Sequence, residues 1–85
     1  MTYSATVTSG TSHDSTRAAS QYDLIEAVNR VFDKAWNTAG KPGRPSSDEF
    51  LEVHTKLHFQ GDLGPDEVRT ITSTQGGVKV ILRRM

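Results

Sequence analysis

The chain lacks cysteine, net charge and any long apolar run, and each absence closes a route to stability or function. Without cysteine, neither a disulfide nor a thiolate zinc site can reinforce a chain of 85 residues, a length at which one core supplies only modest stability. Packing or association must supply the rest. Ten basic and ten acidic residues cancel, which excludes attraction of the whole molecule to nucleic acid or to an anionic membrane and leaves only local patches. No stretch approaches the roughly eighteen apolar residues of a membrane span, and the first residues lack the charged-then-apolar pattern of a secretory signal. A cytoplasmic protein with no membrane partner is expected.

Signatures of catalysis are missing too. No serine stands in a Gly-x-Ser-x-Gly elbow, and no Gly-x-x-x-x-Gly-Lys loop follows a strand to cradle phosphates. His54 and His58 share one face in either a helix or a strand, and Asp62 or His13 could complete a metal site with them. The zinc-protease pattern, however, requires a glutamate directly after the first histidine, where Thr55 stands. Both histidines also fall on the polar side with Glu52 and Lys56, which fits a solvated surface. Asp48-Glu49 and Asp66-Glu67 each open an element after a serine or proline, where acids are favoured by local electrostatics. No enzyme, metal or cofactor is expected.

What the chain does contain is organised around 20–39. Leu24, Ile25, Val28, Val31, Phe32, Ala35 and Trp36 recur at spacings of three and four, which draws one broad apolar stripe along a helix. Ser20 and Asp23 form a capping box at its start, and Gly40 with Pro42 ends it. A helix of this length is marginal alone in water, so the stripe, with Phe32 and Trp36 its bulkiest members, must be covered by the rest of the chain or by a partner. Burial under a compact two-layer body, with no cleft for catalysis, is the expectation.

The segment 46–59 fits two templates. As a helix it is capped by Ser46 and Glu49, presents Phe50, Val53 and Leu57, and pairs Glu52 with Lys56. As a strand, Leu51, Val53, Thr55, Leu57 and Phe59 alternate with polar residues. The capping signals are specific to helices, and Gly61 is placed to end one, so the helix is preferred. Asp62-Leu63-Gly64-Pro65 reads as a turn, and 67–83 reads as a β-hairpin reversing at Gly76-Gly77. About half of 2–20 is Ser or Thr, which predicts a disordered tail, although Tyr3, Ala5 and Val7 alternate as a half-buried strand would. The expected fold is therefore α+β: two helices followed by a C-terminal antiparallel β-hairpin, in a small single domain (20–85) behind a flexible Ser/Thr-rich tail (1–19).

The charges are uneven although their sum is zero. Between Asp48 and Glu67 six acids face one base, Lys56, whereas 68–85 holds Arg69, Lys79, Arg83 and Arg84 and no acid. If Val78, Val80 and Leu82 cover the core, Ile81 projects outward; with Ile71 also outward, two isoleucines would be rimmed by Arg69, Lys79 and Arg83. An apolar spot with a cationic border is the composition of a protein-binding surface. The expected function is a non-catalytic protein-binding module, of the kind seen in small inhibitors, adaptors and phage-type accessory factors. The alternative is nucleic-acid binding through Lys41, Arg44, Arg69, Lys79, Arg83 and Arg84. Self-association as a homodimer is a third outcome that a small core encourages.

Overall fold

The structure, a computed structural model, describes residues 2–85. Its elements in chain order are β1 (Tyr3–Ser9), β2 (Ser12–Ala18), α1 (Gln21–Trp36), α2 (Ser47–Phe59), β3 (Val68–Thr72) and β4 (Val78–Arg84). The strands form one antiparallel sheet in the order β2-β1-β4-β3, and both helices lie on the same side of it.

The expected order, two helices and then a hairpin behind a flexible tail, is corrected by this sheet. Residues assigned to the tail form a second hairpin, and β1 is a central strand paired on one side with β2 and on the other with β4. Ala5 and Val7 are each only 1% exposed, set beside Leu82 and Val80. The physical reason lies in two features. Threonine suits a pleated strand even where it contributes no apolar burial, and Ser9-Gly10-Thr11-Ser12 makes a two-residue reversal. Gly10 has φ +60° and Thr11 has no positive φ, the pattern of a type II′ turn. A side chain at Gly10 would meet the Gly43 carbonyl oxygen at 2.4 Å, so only glycine fits.

The helices start where their signals stand, although α1 ends at Trp36, before the Gly40 stop expected from the sequence. The Asp23 amide donates to Ser20 Oγ at 3.1 Å, and α1 buries Leu24, Ala27, Val28 and Phe32. In α2 the Ser46 amide donates to Glu49 Oε2 at 3.2 Å, and Phe50, Val53 and Leu57 turn inward. These residues, with Leu63, Ile71, Val78, Val80 and Leu82, make one core between the helices and the sheet. Trp36 departs from expectation. Phe32 is 5% exposed but Trp36 is 49% exposed, so the last turn of the apolar stripe emerges from the body.

Candidate functional site

Opposite residues in an antiparallel ladder share a face, so the register sorts the whole sheet. On the helical face, Ala5, Val7, Val80, Leu82 and Ile71 meet the core. On the other face three rows run across the strands. The first is Arg17, Ser4, Arg83 and Val68; the second is Ser15, Thr6, Ile81 and Thr70; the third is His13, Thr8, Lys79 and Thr72. None of these twelve is buried, and among the described residues no element covers them.

The composition of this face is one-sided. It carries Arg17, Lys79 and Arg83, six hydroxyls and no acid, although acids equal bases over the chain. Arg17 and Arg83 lie two strands apart, about 9–10 Å, and Lys79 lies about 13 Å along β4 from Arg83. Between β1 and β2 a shallow hollow of about 380 Å³ is lined by Ser4, Thr6, Ser15 and Arg17. Ile81, half-buried, is flanked by Thr6 and Thr70, so the middle of the face is nearly neutral and its ends are cationic.

The residues singled out from the sequence are divided by the register. Lys79, Ile81 and Arg83 stand on the open face. Ile71, expected outside, lies opposite Val80 and is 8% exposed, because Val68 and Thr70 take the outer positions of β3. Arg69 points to the helical side and is consumed there. It donates to Glu67 Oε2 (2.8 Å), Gln60 Oε1 (3.2 Å) and the carbonyls of Gly61 (2.7 Å) and Asp62 (3.4 Å), closing the end of α2 over the sheet edge. Arg84 donates to the Leu63 carbonyl at 2.8 Å and lies 5.6 Å from the centre of the Tyr3 ring. Arg44 fastens the 40–45 loop to the β1–β2 turn through Thr38 Oγ1, the Ser9 carbonyl and Ser12 Oγ, while Lys41 stays exposed.

The acids are gathered on the other side of the molecule, several of them engaged. Glu49, 6% exposed, accepts from Ser73 Oγ (3.0 Å) and the Gly77 amide (2.9 Å), locking the start of α2 to the β3–β4 loop. Glu52 accepts from Lys56 Nζ (2.8 Å) and from the amide and hydroxyl of Thr74 (both 2.9 Å). Those donors, the lysine foremost, lower its carboxyl from the ordinary 4.5 to about 2. The Gly64 amide, followed by Arg69, lowers Glu67 in the same way. His54 Nδ1 sits 2.9 Å from Asn29 Oδ1, and its ring stands edge-on to His58 with centres 4.5 Å apart. His13 is on the opposite face of the sheet, beside Thr8. Among the described residues no three His, Cys, Asp or Glu side chains are grouped to hold a metal ion.

Arg17 and the hydroxyls of β1 and β2 were not among the expected site residues, and His13 was weighed only as a metal ligand. The signal that could have found them was the Gly-Thr reversal at 10–11, which pairs the alternating hydroxyls of β1 with Arg17, Ser15 and His13 of β2. No family model matches the chain, and no curated protein or solved structure matches it either. Among the described residues no helix is long and apolar enough to cross a membrane.

Proposed function

We propose that the protein is a non-catalytic binding module that lays the open face of its sheet on the sugar-phosphate backbone of a nucleic-acid duplex. The observation that carries this is the absence of any acid among twelve outward residues that include three cations and six hydroxyls. Arginine, lysine, serine and threonine side chains are the common partners of phosphate oxygens. Trp, Tyr and Phe are absent from the face, so it lacks the large aromatic platforms on which unpaired bases stack best, which favours a duplex over a single strand. Four strands span about 14 Å, too broad to enter a groove of about 12 Å, so contact runs across the backbone and is independent of base sequence.

A protein partner on this face is less well supported. Its centre offers only Ile81 as a partly buried apolar residue, with none of the aromatic side chains that dominate protein hot spots. A second copy docked on the same face would set three cations against three.

The test is a titration with a short labelled DNA duplex across roughly 50 to 200 mM salt. Each neutralised phosphate contributes about 0.9 to the slope of log affinity against log salt, so three contacts give a slope of about −2.7. Arg17→Ala, Lys79→Ala and Arg83→Ala should each reduce that slope by about one. Arg69→Ala, which removes a cation from the opposite side, should leave it unchanged. A flat salt response, or equal affinity for poly-glutamate and for the duplex, would rule the proposal out, the second result pointing to an acidic protein surface instead.

A further inference from the structure

The helical side of the molecule carries a second feature, independent of the sheet face. Between α1 and α2 lies a hollow of about 320 Å³. Its floor is the Phe32–Phe50 pair, rings edge to face with centres 5.7 Å apart. Trp36 and Leu51 line it too, and they remain 49% and 54% exposed although both are large and apolar. Asp33 and His54 complete the lining with Asn29, and the histidine is already engaged with that asparagine.

Among the described residues Asp33 is the one acid lining this hollow, no lysine or arginine lines it, and the Asp33 carboxylate has no ion-pair or hydrogen-bond partner. On α1, Asp33 and Trp36 are three residues apart and therefore neighbours on one helix face. An uncompensated carboxylate beside an open indole, above an aromatic floor, defines the chemistry of an occupant. A wholly apolar side chain would desolvate the acid without replacing its water. A guanidinium can do both jobs, stacking its plane on the indole while its N–H groups bond the carboxylate, with its methylene stem laid on Leu51 and Phe50.

We propose that this hollow is a protein-docking site that receives an arginine side chain from a partner polypeptide, clasped between the Trp36 indole and the Asp33 carboxylate. Lysine fits less well, because a compact, strongly hydrated ammonium cannot stack and bond in one plane. The charge of the hollow is opposite to that of the sheet face, so the two surfaces select different partners and can be filled at once.

Trp36 is the single tryptophan of the chain, so its emission reads the hollow directly. The probes are the peptide acetyl-Gly-Leu-Arg-Leu-Gly-amide and its citrulline counterpart, which keeps the shape of arginine and removes the charge. The arginine peptide should shift Trp36 emission saturably, with the citrulline peptide binding at least about tenfold more weakly. Asp33→Asn should weaken the arginine peptide about tenfold and leave the citrulline peptide unchanged. Three results would overturn the site: no saturable shift up to roughly 10 mM peptide, equal response to the two peptides in the unaltered protein, or emission that follows the protein's own concentration and resists the peptide. The last would mean that a second copy fills the hollow. Duplex binding by Asp33→Asn should match the parent, which separates this result from the fate of the sheet-face proposal.

Discussion

Single residues account for where backbone meets backbone in this molecule. Gly10 has φ +60°, and its Cα faces the Gly43 carbonyl so closely that a Cβ would sit 2.4 Å from the oxygen. Gly10→Ala therefore combines a left-handed backbone strain with a collision that only movement of the 40–45 loop could relieve. A loss of about 1–3 kcal/mol is expected in urea unfolding; a change within a few tenths would show that the loop shifts freely. Gly77 is constrained differently. Its φ is ordinary, but a Cβ there would lie 2.5 Å from Glu49 Oε1, which already receives the Gly77 amide. The cations that looked equivalent in the sequence differ for the same local reason. Arg69 and Arg44 have carbonyl and side-chain acceptors around their guanidinium groups, whereas Lys79 and Arg83 point away from every other element.

At the scale of elements, α2 and the β3–β4 loop behave as one unit joined by carboxylates. Glu49 holds Ser73 and Gly77, and Glu52 holds Thr74 while paired with Lys56. Because the Glu52 carboxyl is lowered from 4.5 to about 2 in the folded protein, it stabilises the fold above about pH 4.5. That contribution is lost as the pH falls from 4.5 toward 2, and Glu67, lowered in the same direction, adds to the loss. Thermal melting should show the difference between the parent and Glu52→Gln shrinking steadily across this window. A difference that stays constant down to pH 2.5 would mean that the carboxylate is not what holds the loop.

The helices were the legible elements, and for identifiable reasons. Ser20 and Asp23, Ser46 and Glu49, and the spacing of Leu24, Val28 and Phe32 all act over one or two turns, so the sequence contains the whole of their cause. The C-terminal hairpin was legible from the alternation of Val78, Val80 and Leu82. Its register was not, because nothing local tells Val68 from Ile71 as the inward residue. β2 was invisible: as an edge strand with half-exposed and exposed positions throughout, Ser12–Ala18 has no apolar side to alternate. β1 showed its alternation, but Ala5 and Val7 are buried by β4 at the other end of the chain, a pairing that no local pattern contains. The candidate surface failed in the same place, since half of its outward residues belong to β1 and β2.

For the whole molecule, the decisive fact is that the sheet is closed from both ends of the sequence. β1 and β4 are its two central strands, and the Met85 amide donates to the Thr2 carbonyl at 2.8 Å just beyond them. Removing 1–19 would take away two strands, bare one edge of β4 and strip Ala5 and Val7 from the core. Such a chain should show no cooperative urea transition and reduced strand content by circular dichroism. A sharp transition near that of the parent would mean that the helices and the C-terminal hairpin suffice.

The same arrangement has a bearing on how the protein is made. Of the six elements β1 leaves the ribosome first, and the strand that covers its inner flank leaves last, so Ala5 and Val7 spend the interval of translation without their neighbour. Pairings that join distant parts of a chain form late, and exposed strands meanwhile invite aggregation. With hydroxyls at most of the remaining positions, the nascent β1–β2 hairpin offers little apolar surface beyond Ala5 and Val7 for wrong pairing before β4 arrives.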